Sequence, residues 1–257
     1  ALVTNMGDDQ NGRECLDRLK KDGVATDLVS IPQGKETNYH YVLWYEDDRT
    51  ILVKHQEYER AFPDVGEPKW LYLSSLGSDT LEYQKQVIEY LKNHQNIFLA
   101  FQPGTFQIKL GKDELKDIYT RTKIFFCNIE EAETILGLDT LGTEELLKRI
   151  RALGPEVVVL TDGPKGVCVF DGKNMWHQSA YQDPKPPFER TGAGDALAST
   201  TVVALALGKD LETALRWGMI NAMSVVQQVG AQKGLLTRSQ IEEYLKNAPA
   251  DFKSRKL

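Results

Sequence analysis

The chain is predicted to be an α/β protein with a mostly parallel sheet covered by helices on both faces. From residue 70 onward, short β-rich segments alternate with amphipathic helical segments through short connections, which is typical of repeated β-α units. The segment Val157–Leu160 is apolar at every residue, which indicates a strand buried on both faces. With 257 residues the chain is long enough for one large α/β domain or two small ones. We expect a single domain over residues 1–257.

The composition argues against nucleic acid or a membrane as a partner. The chain has 31 basic and 37 acidic residues and a net charge of −6, whereas binding to a phosphate backbone requires a basic face. The basic cluster Lys253–Lys256 is expected to be a frayed terminus. No apolar run approaches the length of a membrane span. The three cysteines form no paired motif, which fits a reducing compartment, and a cytoplasmic location is expected.

The first sixty residues predict short strands, one helix and a β-hairpin. The helix Gly12–Lys21 is amphipathic and ends at Gly23. Two alternating runs, Thr37–Tyr45 and Arg49–Gln56, are joined by the polar residues Glu46–Asp48, which indicates a hairpin. The hairpin is either an ordinary sheet edge or a cover over a ligand, and its aromatic content suits the second role. The short strands are predicted at Ala1–Thr4 and Asp27–Ile31.

The rest of the chain predicts the strands and helices of the α/β layers. The predicted strands are Trp70–Ser74, Ile97–Phe101, Lys123–Cys127, Val157–Leu160 and Val167–Phe170. The predicted helices are Thr80–Lys92, Lys112–Tyr119, Ile129–Leu136, Thr143–Leu153, Ala196–Leu207, Leu211–Gln227 and Ser239–Lys246. In sheets of this kind ligands bind at the carboxyl ends of the strands, so the loops that follow the strands are the candidates for a site.

The turn Thr191–Asp195, which opens one of these helices, is a candidate phosphate site. Gly192 and Gly194 give the backbone freedom, and the first amides of the helix point back at the turn. Unpaired amides and the positive end of the helix dipole both favour an anion. Asp195 could accept the proton of a hydroxyl that attacks a phosphate, which suggests phosphoryl transfer. The alternative is an ordinary loop-to-helix turn in which Asp195 caps the first turn.

Two further loops follow predicted strands and could contribute to the same site. Asn128 and Glu131 come after the strand Lys123–Cys127, and the turn Thr161–Gly166 comes after Val157–Leu160. Three loops at one edge of the sheet could hold three parts of a nucleotide. The alternative interpretation makes Asn128 a helix N-cap and Glu131 an acid that complements the helix dipole. Likewise, Thr161–Gly166 could be only a turn between two strands.

The motifs together resemble those of the ribokinase-like, PfkB-type carbohydrate kinases. Thr191–Asp195 is similar to that family's D-T-T-G-A-G-D-A-F signature, and Asn128–Ala132 to its N-x-x-E motif. Val157–Gly166 resembles its strand and T-x-G-x-x-G turn, and Asn221–Ala231 its adenine-side helix and Gly-Ala loop. The four motifs occur in family order, and the resemblance extends from Leu2 to about Lys246. It implies a three-layer α/β/α fold with a small β lid, of which residues 36–57 would be the remaining hairpin.

The resemblance also implies a function and assigns residues to it. Asp195 would be the general base, and the amides of Gly192, Ala193 and Gly194 would form the anion hole. Glu131 would order Mg²⁺ through water. ATP, Mg²⁺ and a monovalent cation are the implied cofactors, a sugar or nucleoside is the implied substrate, and the lid could form a homodimer. The residues implied to bind the nucleotide are Asn128, Thr161, Gly163, Gly166, Thr191, Asn221, Gly230 and Ala231.

The sequence departs from the family pattern at several positions. Glu189 and Arg190 stand where the family has Asp-Thr, which bears on the monovalent-cation loop. Leu197 replaces a phenylalanine, and Ser199 replaces a glycine. The resemblance further implies that an N-terminal strand and part of the lid are absent from this sequence. The leading expectation is a sugar kinase; a nucleoside kinase of the same fold and a non-catalytic nucleotide-binding relative are the alternatives.

Overall fold

The computed structural model describes residues 1–45 and 48–257. It contains two compact units, the first made of Ala1–Gly66 with Glu82–Val87, the second of Glu67–Leu81 with Ile88–Leu257. Two residues of the predicted hairpin turn, Glu46 and Asp47, lie outside the described residues. Within the described ranges, no helix has the length and apolar character needed to cross a membrane.

The first unit contains two small sheets and one helix. Strand β1 (Thr4–Asn5) pairs in parallel with β2 (Val29–Ser30). Helix α1 (Gln10–Lys21) begins after Asp9, whose carboxylate accepts a hydrogen bond from the Gly12 amide at 2.8 Å. The predicted hairpin is present as antiparallel strands, and its role as a lid stays a prediction. These strands are β3 (Tyr39–Tyr45) and β4 (Asp48–Lys54).

The second unit is built on a seven-stranded sheet with the order β11-β10-β9-β8-β7-β6-β5. Strands β5 to β8 are parallel, and β9, β10 and β11 each run antiparallel to their predecessor in that row. Five of the seven strands therefore share one direction, which confirms a mostly parallel sheet. The strands are β5 (Trp70–Leu73), β6 (Phe98–Phe101), β7 (Thr122–Asn128), β8 (Val157–Thr161), β9 (Val167–Phe170), β10 (Met175–Gln178) and β11 (Ser254–Lys256).

Helices connect these strands and cover the sheet. They are α2 (Leu81–Asn93), α3 (Thr105–Leu110), α4 (Lys116–Arg121), α5 (Ile129–Leu136), α6 (Thr143–Ala152), α7 (Ala193–Ala206), α8 (Leu211–Val225) and α9 (Arg238–Lys246). A single 3₁₀ turn, Gly163–Lys165, separates β8 from β9. The contact between α7 and α8 forms one outer layer of the unit.

Side chains from both faces of the sheet are buried, because helices pack on each face. Ile124 and Phe126 of β7 lie in a core cluster with residues of α7 and α8. The intervening Phe125 packs on the opposite face, with ring centroids 5.6 Å from Phe101 and 5.4 Å from Tyr119 of α4. This alternation explains why the strands are apolar along their whole length and confirms the predicted three-layer α/β fold.

One helix and the C-terminal tail are among the segments that differ from the sequence prediction. The predicted helix Lys112–Tyr119 is present only in part, because α4 begins at Lys116. A further helix, α3, begins at Thr105, where the side chain of Gln107 accepts a hydrogen bond from the Gly104 amide at 2.9 Å. The tail Lys253–Lys256, predicted to be frayed, contributes β11 instead. Phe252, only 2% exposed, anchors this tail, and Ser254 Oγ donates to Gln178 Oε1 at 3.0 Å.

Candidate active site

The turn Thr191–Asp195 leads directly into α7, which begins at Ala193 rather than at the predicted Ala196. Gly192 is the N-cap and has a φ of +80°, a conformation that side chains disfavour. A Cβ added at Gly192 would lie 2.4 Å from the Cβ of Ala231. Two independent constraints, the backbone angle and the neighbouring side chain, therefore require glycine here. Thr191 is half-buried directly before it.

The first turn of α7 presents amides that can bind an anion. The Ala193 amide donates to Arg190 O at 3.3 Å, and the Ala196 amide donates to Gly192 O at 2.8 Å. Across residues 1–45 and 48–257, no backbone oxygen accepts a hydrogen bond from the amides of Gly194 and Asp195. Both residues are exposed. These two donors, at the positive end of a fourteen-residue helix, are suited to a phosphate oxygen.

The Asp195 carboxylate is held by a side chain that the sequence analysis did not identify. Gln102 Nε2 donates to Asp195 Oδ1 at 3.2 Å, and the Tyr72 hydroxyl donates to Gln102 Oε1. Burial raises the pKa of the Tyr72 hydroxyl, and the negative charge of Asp195 raises it further. Gln102 directly follows β6, so the rule that drew attention to Asn128, a polar residue at the carboxyl end of a strand, could have identified it.

Asn128 and Glu131 form a reciprocal helix cap at the start of α5. Asn128 Oδ1 accepts from the Glu131 amide at 2.8 Å, and Glu131 Oε2 accepts from the Asn128 amide at 2.9 Å. Burial raises the pKa of the Glu131 carboxyl, the hydrogen bond from Asn128 lowers it, and the charge of Asp195 raises it. The capping interpretation therefore describes the geometry. It leaves Glu131 close enough to Asp195 for their charges to interact.

A cavity of about 840 Å³ lies at the carboxyl ends of β7 and β8. The strands bring Asn128 and Thr161 together as directly paired residues. One apolar side of the cavity is lined by α8 and the residue that follows it: Met219, Ala222, Met223 and Val226. The predicted site residues that line it are Asn128, Thr161, Gly163, Ala193 and Gly194. The sequence motifs thus identified three of the segments that line the cavity. They did not identify the charged residues Arg190 and Asp183, which also line it.

Gly166 and Asn221 have structural explanations of their own. Gly166 has a φ of +100°, and an added Cβ would lie 2.2 Å from Gln178 O of the neighbouring strand. Asn221 is only 5% exposed; its Nδ2 donates to Thr200 Oγ1 at 2.7 Å, and its Oδ1 accepts from the Leu236 amide at 2.9 Å. Both polar ends of Asn221 are therefore occupied by protein groups. Sequence could not show this, because it does not reveal which face of α8 the side chain takes.

Glu189 connects the phosphate turn to the Gly-Ala loop. Its Oε1 accepts a hydrogen bond from the Gly230 amide, and the next residue, Ala231, packs against Gly192. Gly230 and Ala231 therefore lie beside the anion hole rather than among the residues that line the cavity. In the part of the chain that the structure describes, no three His, Cys, Asp or Glu side chains come together as a metal-binding cluster.

Comparison with known proteins agrees with this fold. Residues 1–238 match the pfkB family of carbohydrate kinases, so the chain belongs to that family. Ribokinase from Bacillus subtilis is 28% identical over 250 residues, covering 95% of this chain and 80% of the relative.

Two solved structures have the same fold. A nucleoside kinase from Methanocaldococcus jannaschii, described as an archaeal member of the ribokinase family, superposes with a TM-score of 0.78 at 19% identity and covers 96% of this chain and 80% of its own. An Escherichia coli protein solved in complex with ATP and Mg²⁺ superposes with a TM-score of 0.79 at 18% identity, covering 95% and 82%.

Proposed function

We propose that this chain transfers the γ-phosphoryl group of ATP to a primary hydroxyl of a sugar or sugar-like substrate. The observation that carries the proposal is the first turn of α7, where the open amides of Gly194 and Asp195 lie beside the Asp195 carboxylate. A donor set for a phosphate and a base for a hydroxyl are thus combined in consecutive residues. Membership of the pfkB family supports the same reaction class.

The residues around the cavity fit a nucleoside triphosphate. A volume of about 840 Å³ lies within the range of small-molecule sites. Met219, Ala222 and Met223 offer an apolar wall for a base, whereas Gly194 offers an open amide for a phosphate oxygen. The E. coli neighbour in complex with ATP and Mg²⁺ supports this assignment. ATP would supply the phosphoryl group, and Mg²⁺ would neutralise developing charge on its oxygens.

The residues also fit a magnesium ion better than a monovalent cation. Asn128 lines the cavity, and the carboxylate of Glu131 is bonded to the Asn128 amide; Mg²⁺ requires few protein carboxylates because it retains water ligands. Glu131 Oε2 is used in the helix cap, which leaves Oε1 for a water-mediated contact. Glu189, at the family's monovalent-cation position, is bonded to the Gly230 amide. No step of the proposal depends on a monovalent cation.

The proposed reaction is a direct displacement. The Asp195 carboxylate takes the proton of the acceptor hydroxyl while the hydroxyl oxygen attacks the γ-phosphorus. The bond between that phosphorus and the β-phosphate oxygen breaks, and ADP leaves. The open amides of Gly194 and Asp195 would stabilise the charge on the transferring oxygens, whereas the Ala193 amide is already bonded to Arg190 O. Such preorganised donors typically contribute about 3 kcal/mol each to transition-state stabilisation. No covalent intermediate with the protein is required.

Two substrate classes are candidates, a sugar and a nucleoside. The B. subtilis relative favours a sugar, whereas the M. jannaschii neighbour is a nucleoside kinase, which makes a nucleoside the second candidate.

We also propose that the hairpin supports a homodimer, because Tyr41, Leu43 and Leu52 are each at least 50% exposed and exposed apolar patches favour association.

The proposal is tested with a panel of acceptors and one substitution. ATP consumption is measured with ribose, fructose, ketodeoxygluconate, adenosine and other nucleosides. Asp195→Asn should retain ATP binding, measured by calorimetry, and lose at least about 10²-fold in kcat, because a general base contributes about 10²- to 10⁴-fold. Unchanged turnover in this variant would contradict the assignment of Asp195. A wild-type protein that binds ATP and phosphorylates no polyol would favour the non-catalytic alternative.

A further inference from the structure

We propose that Gln102 is a positioning residue for Asp195 and that Tyr72 fixes the orientation of Gln102. The inference rests on the proposed function, because it concerns the base of that reaction. Its basis is the continuous hydrogen-bonded series from the Tyr72 hydroxyl through the Gln102 amide to Asp195 Oδ1. The series joins two neighbouring strands of the sheet to the first turn of α7.

The backbone positions of these residues are set by the parallel sheet. Tyr72 lies on β5 and is the direct partner of Ala100 on β6. Gln102 follows the last residue of β6, and its amide donates to Leu73 O at 2.9 Å, so the pairing of the two strands continues to Gln102. Both side chains are half-buried at the carboxyl ends of the strands. The donor that faces Asp195 is thus attached directly to the end of a paired strand, and sites built on strands are positioned more precisely than sites on loops.

The direction of the hydrogen bonds follows from the chemistry of the three groups. The phenol donates to Gln102 Oε1, so the nitrogen of the amide faces the carboxylate. The flipped amide would set its oxygen against Asp195 Oδ1, and two acceptors would oppose each other. Because burial and the Asp195 charge both raise the pKa of Tyr72, the phenol stays a donor over the working pH range.

This arrangement has two consequences for a general base. Oδ1 is held by Gln102, whereas Oδ2 has no protein partner among the described residues and remains for the acceptor hydroxyl. The amide donor also stabilises the charged carboxylate. This matters because the charge of Asp195 interacts with the acid Glu131 of α5 and with the phenol of Tyr72.

Gln102 also lies near the anion hole. A Cβ added at Gly194 would be 3.8 Å from Gln102 Nε2, so the amide is close to the turn that carries the phosphate donors. A side chain that is bonded to the base and lies near the hole can limit changes in their separation. Displacements of about 1 Å between reacting groups can cost about 10²-fold in rate.

The test uses three variants and one control, assayed with the acceptor found in the panel. Gln102→Leu removes the donor, Tyr72→Phe removes only the hydroxyl, and Gln102→Glu replaces the donor with a second carboxylate. Gln95→Glu is the control. It introduces the same charge change just before the amino end of β6, where the Gln95 side chain is exposed and donates to Lys92 O at 2.6 Å. Thermal unfolding curves establish that each variant is folded.

The expected results separate positioning from packing. Gln102→Leu should lower kcat about 10- to 100-fold while the KM for ATP changes less than about two-fold; Tyr72→Phe should lower kcat less, since the amide remains. Gln102→Glu should move the acidic limb of the kcat/KM profile about one pH unit upward, because a second carboxylate favours protonation of the first. Gln95→Glu should match wild type in rate and profile.

Two outcomes would overturn the inference, and neither resembles failure of the proposed function. If wild type is active and the folded Gln102→Leu and Tyr72→Phe variants keep full kcat, Gln102 does not position the base. If Gln102→Glu keeps the wild-type pH profile, the amide does not act on Asp195. Failure of the proposed function would appear differently, as absence of turnover in wild type with every acceptor.

Discussion

Substitution of Gly192 by alanine is the sharpest test of how the anion hole is built. An alanine with a φ near +80° is strained by about 1–2 kcal/mol. Its Cβ would also lie 2.4 Å from Ala231 Cβ and 2.9 Å from Ala231 Cα, so the Gly-Ala loop must move. Overpacking of this kind costs about 1–3 kcal/mol, and the two contributions together give about 2–5 kcal/mol.

Gly208 supplies a matched control for this prediction. It has a φ of +81°, and a Cβ added there meets no described atom within 4 Å. Gly208→Ala should therefore lose only the conformational part, about 1–2 kcal/mol. Urea unfolding gives both free energies, and their difference isolates the contact with Ala231. Gly192→Ala should also lose about 10²-fold in kcat, because the amide donors of the anion hole are displaced.

The double variant and the contrary result complete the design. Ala231→Gly in the Gly192→Ala background removes the closer of the two contacts, so part of the lost free energy of unfolding should return. Equal destabilisation by Gly192→Ala and Gly208→Ala, together with full turnover, would refute the reasoning. It would mean that Ala231 yields without cost and that the hole does not depend on this contact.

Three further predictions concern polar groups. Asn221→Ala should lower the free energy of unfolding by about 1–3 kcal/mol, because the half-buried Leu236 amide loses its acceptor; a raised KM for ATP with unchanged stability would contradict this. Glu131→Gln should unfold at a higher temperature than wild type at pH 7 but not at pH 4. Burial raises the pKa of Glu131 in the folded protein, so ionisation of this carboxyl destabilises the folded state as the pH rises; an equal difference at both pH values would contradict the prediction. Asp9→Asn should be destabilised at pH 7, and the difference should vanish as the pH falls towards 2, since the Thr37 hydrogen bonds lower the pKa of Asp9 to about 2; a deficit that persists at pH 2 would contradict it.

Local patterns are sufficient to predict the central strands and the loops that follow them. Val157–Leu160 is apolar because helices cover both faces of β8, and Asn128 and Thr161 end paired strands. Such features depend on residues close in sequence, or on a rule that holds for every parallel sheet. The fold class and most of the cavity walls can therefore be predicted from the amino-acid sequence alone.

Three of the errors share a physical origin, which is dependence on distant partners. Strand β11 forms by pairing with the edge of β10. The hydrogen bond between Ser254 and Gln178 in this pair joins residues seventy-six positions apart in the sequence. The bond from Gln102 to Asp195 spans ninety-three residues. The amide of Asn221 joins α7 to the segment before α9, which the motif at Asn221 does not indicate. Nothing within a short window of sequence specifies these contacts.

The two halves of the candidate site are held by different kinds of interaction. The anion hole is a backbone feature, fixed by the conformation of Gly192 and by its contact with Ala231. The base is a side chain, fixed by hydrogen bonds that originate on β5 and β6. Substitutions in the first half should therefore affect stability and rate together, whereas conservative changes at Tyr72 should affect rate with little loss of stability. If substitutions at Gly192 changed the rate alone and conservative substitutions at Tyr72 lowered the stability as well, the hydrogen bonds of the base, rather than the anion hole, would be the interactions that stabilise this part of the fold.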